Sequence, residues 1–173
     1  MWNLPNALTL CRLFLIPVYG VVFASGYIKS AFFVLLAAGI TDVLDGYWAR
    51  RHNQVTALGS MLDPLADKLM MLTVILSLVF SGMISWLAAA AIFLRDAGMI
   101  VGSAFFHFRG KKTVPANALG KLTTVLYYVA ILLIVFQLPF AAAYLWFVII
   151  VSFVASGLYI LQFQLLNKRK AEP

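Results

Sequence analysis

The stretch DVLDGYWARRHNQVTALGSMLDPLAD, Asp42 to Asp67, sets four aspartates at the facing ends of two apolar runs joined by a polar link. Asp42 and Asp45 are three residues apart, and Asp63 and Asp67 are four apart. On helices, each pair lies on one face. The first pair sits near the end of its run and the second near the start of the next. Helices joined by a short link are antiparallel neighbours, so the two pairs are expected to meet at similar depth. Four facing carboxylates repel one another unless cations sit between them. Hard divalent ions such as Mg²⁺ or Mn²⁺ suit an all-oxygen ligand set. Two such ions bridging phosphoryl oxygens are one solution to displacement at phosphorus.

The rest of the chain makes those aspartates unusual. The protein has 173 residues, enough for one domain spanning 1–173, and is 64% hydrophobic. Charged residues make up 11% of it, against about 25% in soluble domains. A water-soluble fold could not hide so much apolar surface, so lipid is the expected solvent. Of the six acidic residues, only Glu172 lies in a tail; Asp42, Asp45, Asp63, Asp67 and Asp96 fall inside or at the edges of apolar runs. Each such carboxylate costs about 2.5–3.5 kcal/mol on insertion scales, which makes it a functional candidate by default.

Two other readings of the aspartates compete with metal binding. One is salt bridges to Arg12, Arg50, Lys68 and Arg95. The other is a proton or ion relay in a transporter, which predicts carboxylates spread across the membrane; these cluster near one surface. The net charge of +7 does not point to nucleic acid. The basic residues cap apolar segments, as membrane proteins arrange them, and no nucleic-acid motif is present. Cys11 has no partner for a disulfide or a metal and reads as a small apolar residue. His52 and His107 read as surface or interfacial residues. Trp2, Trp86 and Trp146 fall near run ends, as aromatic belts do. No cleavable signal peptide is expected at the N-terminus.

Six runs of about twenty residues are each long enough to cross a bilayer as a helix. They are Ala7–Tyr27, Ser30–Arg50, Met61–Phe80, Ile84–Phe106, Lys121–Phe140 and Ala142–Leu166. The break between the last two rests on Pro139. Between Arg109 and Gly120, a short helix could lie on the membrane surface. The links after the second and fourth spans and the C-terminal tail hold Arg50, Arg51, Arg109, Lys111, Lys112, Lys121, Lys168, Arg169 and Lys170. The other links hold Lys29 alone. The positive-inside rule then places both termini, and the aspartate ends of spans two and three, in the cytoplasm. The expected fold is an all-α integral membrane protein of six transmembrane helices with a polar active-site cavity facing the cytoplasm.

Residues beside the aspartates fit a phosphate ligand. Gly46 and Ala49 would leave a slot next to the carboxylates, or serve close helix packing. Arg50 suits a diphosphate, or snorkels at the interface. Gly59 permits close backbone approach or a tight turn.

The same stretch resembles the signature of the CDP-alcohol phosphotransferase family. That signature reads D-x2-D-G-x2-A-R, a spacer, then G-x3-D-x3-D. Asp42, Asp45, Gly46, Ala49, Arg50, Gly59, Asp63 and Asp67 fill every fixed position. The opening Leu4-Pro5-Asn6-Ala7-Leu8-Thr9-Leu10-Cys11-Arg12 is similar to the start of bacterial phosphatidylglycerophosphate synthases and eukaryote-type cardiolipin synthases in that family. The resemblance implies an enzyme that moves a phosphatidyl group from CDP-diacylglycerol to an alcohol and releases CMP. It implies two divalent cations, Mg²⁺ or Mn²⁺, held by Asp42, Asp45, Asp63 and Asp67. Asp67 would also be the general base, and Gly46, Ala49, Arg50 and Gly59 would bind the CDP part. It further implies a homodimer and a bacterial inner (plasma) membrane.

The resemblance implies a glycerol-type alcohol as acceptor. Family frequency favours glycerol 3-phosphate. Two local departures favour phosphatidylglycerol: Arg95-Asp96 stands where phosphatidylglycerophosphate synthases usually have Arg-Glu, and Gly120-Lys121-Leu122-Thr123-Thr124 keeps one lysine of a usual two. Glycerol 3-phosphate stands ahead, with Arg95, Lys121 and Arg109 as candidate acceptor-binding residues. For Arg109, as for Lys111 and Lys112, plain interfacial anchoring competes.

Overall fold

In the computed structural model the backbone is described for residues 4–51, 57–108 and 118–168. Within these segments the side chains of 4–6, 45, 46, 49, 50, 57–61, 64, 103–108, 118, 119, 121 and 164–168 are outside the description. The described residues contain helices and turns, with no strand. The helices are α1 (Leu4–Ala24), α2 (Ile28–Arg51), α3 (Ala57–Phe80), α4 (Trp86–Phe108), α5 (Ala118–Val135) and α6 (Ala141–Lys168).

Each helix matches one of the six apolar runs, with ends displaced by a few residues. Helix α1 starts at Leu4 rather than Ala7, because Pro5 falls in the first turn, where its missing N–H costs nothing. Helix α5 ends at Val135, ahead of Pro139. The stretch 109–117, where a surface helix was expected, lies outside the described residues apart from its continuation into α5 at Ala118.

Helices α1, α3 and α5 end alike. At the end of α1, the Gly26 N–H donates to the Phe23 carbonyl (2.9 Å) and the Tyr27 N–H to that of Val22 (3.2 Å). Gly82 and Met83 repeat the pattern on Val79 and Leu78 after α3, and Gln137 and Leu138 repeat it on Ile134 and Leu133 after α5. This is the Schellman cap, which needs a residue in the left-handed region. Gly26 (φ 86°) and Gly82 (φ 69°) adopt it freely, whereas Gln137 (φ 54°) does so against its side chain.

The chain forms two compact units, Met1–Met83 and Ile84–Pro173. In the first, α1 packs along α2 and also against α3, and among the described residues α2 and α3 touch each other over a short stretch. The buried stripes follow helical spacing: Thr9, Arg12, Tyr19 and Phe23 on α1; Ala31, Leu35 and Ala38 on α2; Ala66, Met70, Val74 and Leu78 on α3. In the second, α6 packs against α5 and α4. Thr123, Tyr127, Ala130 and Ile134 of α5 meet a stripe on α6 that runs through Leu145, Val148 and Ser152.

The outward faces are apolar too. Phe14, Val21, Phe33, Leu94 and Val101 are all at least 60% exposed. Among the described residues, α1 from Ala7 to Ala24 and α6 from Ala141 to Phe163 are long and apolar enough to cross a membrane, and Leu122–Val135 of α5 is a shorter apolar stretch.

Candidate functional site

Helix α1 carries two polar side chains in its otherwise apolar first half, Thr9 and Arg12. They are buried to 1% and 2% exposure. Three residues apart, they lie on one helical face with Cβ atoms roughly 5–6 Å from each other. Each meets an aspartate from a different helix. Arg12 Nη1 lies 2.8 Å from Asp42 Oδ1, on α2. The Thr9 hydroxyl donates to Asp63 Oδ1, on α3, at 2.5 Å. Asp42 and Asp63 are thereby brought onto adjacent positions of one polar stripe.

Among the described residues, the contacts that reach Asp42 and Asp63 come from α1. Helix α1 packs against both α2 and α3 and supplies the groups that hold the two aspartates. The physical reason is charge: two carboxylate faces repel, and an intervening cation and hydroxyl offset that repulsion. The salt-bridge reading is realised for Arg12 with Asp42.

Asp67 is exposed on α3, one turn beyond Asp63. The side chains of Asp45, Gly46, Ala49, Arg50 and Gly59 lie outside the described residues, although their backbones are in α2 and α3. Among the described residues no three acidic, histidine or cysteine side chains gather into a metal cage. The donors are nonetheless of the right chemistry. Asp42 and Asp63 each use Oδ1 toward α1, which leaves Oδ2 of each as a hard, anionic ligand of the kind Mg²⁺ and Mn²⁺ take.

A second polar network runs through the other unit. The Tyr127 hydroxyl on α5 donates to Ser152 Oγ on α6 at 3.0 Å. The Ser152 hydroxyl in turn donates to the Ile149 carbonyl, and the Ser156 hydroxyl donates to the Ser152 carbonyl. Arg95 on α4 donates through Nε to Ser156 Oγ at 3.0 Å and through Nη1 to its neighbour Asp96 at 2.8 Å. Arg95 and Asp96 are largely buried. Of the other two candidate acceptor-binding residues, Lys121 lies in α5 with its side chain outside the described residues, and Arg109 is outside them altogether.

Sequence reasoning named Arg12 only as a salt-bridge partner and missed Thr9. The available signal was a polar pair at i, i+3 in a run otherwise apolar enough to cross a membrane.

The family model for CDP-alcohol phosphatidyltransferase matches residues 2–154, and the chain belongs to that family. It is 36% identical to a Rickettsia typhi protein named CDP-diacylglycerol–glycerol-3-phosphate 3-phosphatidyltransferase, over 73% of this chain and 72% of that one. A Rickettsia bellii protein of the same name is 37% identical over 77% of this chain and 75% of its own length. The rat cardiolipin synthase (CMP-forming) is 38% identical over 62% of this chain and 36% of the rat protein.

Proposed function

We propose that this chain is a six-span membrane enzyme that transfers the phosphatidyl group of CDP-diacylglycerol to glycerol 3-phosphate and releases CMP. One observation carries the reading: Asp42 and Asp63, fixed positions of the family signature on two different helices, are held side by side on one stripe of α1. Relatives that bear the name of this activity match most of the chain. The apolar outward faces and the charge asymmetry of the links support six spans with both termini in the cytoplasm, and family resemblance supports a homodimer.

In this reading Asp42, Asp45, Asp63 and Asp67 hold two divalent cations. When bound, these supply charge neutralisation on the diphosphate. The chain's residues do the rest. Gly46 and Ala49 leave room for the nucleotide diphosphate, Arg50 binds its oxygens, and Gly59 lets the backbone approach. Arg95, Lys121 and Arg109 are the cations available to an anionic acceptor. Asp67 accepts the proton of the acceptor hydroxyl. The hydroxyl oxygen then forms a bond to the β-phosphorus as the bond from that phosphorus to the CMP oxygen breaks, and the proton passes from Asp67 to water.

A second acceptor, phosphatidylglycerol, is favoured by Arg95-Asp96 and by the single lysine of Gly120–Thr124. The test offers purified protein CDP-diacylglycerol with glycerol 3-phosphate, phosphatidylglycerol, inositol phosphate or serine, in Mg²⁺ or Mn²⁺. The expected result is metal-dependent CMP release and a phosphatidylglycerophosphate product. A cardiolipin product moves the assignment to the second acceptor. No CMP release with any acceptor rejects the enzyme.

A further inference from the structure

We propose that Thr9 and Arg12 are positioning residues for the aspartate site, setting from one face of α1 the side-chain directions of Asp63 on α3 and Asp42 on α2. The inference rests on the metal-binding reading above and deepens it. Three observations lead to it. Among the described residues both aspartate-bearing helices pack on α1 more than on each other, so α1 is the shared constraint on the spacing of their carboxylates. The two α1 groups are almost wholly buried, so their polar atoms are shielded from water on the helix side, while the Asp42 side chain is 47% exposed. Thr9 gives Asp63 Oδ1 a directed hydrogen bond, and Arg12 holds Asp42 Oδ1 by an ion-pair contact, so one oxygen of each carboxylate is drawn toward α1.

The two residues suit different parts of that task. Threonine is stiff at χ1, and a hydroxyl donating to a carboxylate makes a short, charge-assisted bond. Its 2.5 Å contact therefore fixes one rotamer of Asp63. Arg12 brings the buried positive charge that lets Asp42 approach Asp63, besides orienting it. Partners that orient metal ligands in this way are worth about 10–100-fold in metal affinity.

The experiment measures Mn²⁺ binding to full-length protein in nanodiscs by electron paramagnetic resonance, with no lipid substrate present. Thr9→Val keeps the shape and removes the donor. It should weaken Mn²⁺ binding about 10–100-fold and raise the Mn²⁺ needed for CMP release by the same factor, with a smaller fall in rate at saturating metal. Thr9→Ser, which restores the hydroxyl, should recover most of the affinity. Arg12→Lys holds the charge constant, removes the planar fork, and should also weaken binding. Affinities equal to wild type in both Thr9→Val and Arg12→Lys overturn the positioning role while leaving the metal reading intact. Wild-type protein that binds no Mn²⁺ overturns the metal reading, and the positioning role with it.

Discussion

The two units of the chain each thread a polar network through an apolar interior, and they balance charge in opposite ways. In α4–α6, Arg95 and Asp96 neutralise one another, and Ser156, Ser152 and Tyr127 pass hydrogen bonds onward until they end on a backbone carbonyl. Among the described residues the charges of that network are paired within it. In α1–α3, Asp42 pairs with the buried Arg12 and Asp63 accepts from the Thr9 hydroxyl. In the proposed reading, the surplus negative charge of the four signature aspartates is what draws cations there. A closed network is what stability needs, because a half-satisfied buried polar cluster is costly. A network with surplus charge is what a binding site needs.

The comparison can be broken by substitution. The largest effect is expected from Asp63→Asn, which removes a carboxylate that the proposed reading assigns to the cations. CMP release should fall by several orders of magnitude while the protein still inserts. Near-normal turnover at saturating Mg²⁺ rules the ligand role out. Asp67→Asn should slow the single-turnover rate about 10²–10⁴-fold, the usual worth of a general base, with CDP-diacylglycerol affinity retained. A rate restored by added Mn²⁺ makes Asp67 chiefly a ligand.

The second network should respond in stability rather than in metal affinity. Arg95→Gln leaves the largely buried Asp96 without its cation, which costs about 3 kcal/mol. Thermal unfolding in detergent checks this, and an unchanged midpoint denies the pair its structural weight. The smallest effect belongs to Tyr127→Phe, which loses a single interhelical hydrogen bond worth about 0.6 kcal/mol in a membrane protein. Mn²⁺ binding should be the same as wild type in both variants. A loss of Mn²⁺ affinity in either one would break the division between the networks.

Much of this was legible in the sequence. The six helices follow from apolar runs of spanning length. The break before α6 was read from Pro139, because its capping position holds Gln137, which gives no local signal. The aspartate pairs were legible because 3.6-residue periodicity puts them on shared faces. What spacing could not give was the partner across space. Thr9 is small and β-branched and reads as ordinary helix filling. Its role depends on a contact with a residue 54 positions away, and no local rule of propensity or periodicity reaches that far. For the same reason the contribution of α1 to the positions of Asp42 and Asp63 could not be read from their spacing.

The three Schellman-capped turns have a practical consequence. Each link after α1, α3 and α5 is only a few residues long, and its first amides are already bonded back into the preceding helix. A protease must draw a segment of chain into extended form before it can cut, and these turns have neither the slack nor the free backbone to supply one. In the proposed topology all three lie on the non-cytoplasmic surface. That surface should therefore resist digestion in intact cells or right-side-out vesicles. It is also a poor place for an epitope tag or an inserted domain, since any addition there must first unpick a helix end. Gln137 is the exception that can be improved: glycine there relieves a left-handed residue at little cost and should tighten the turn.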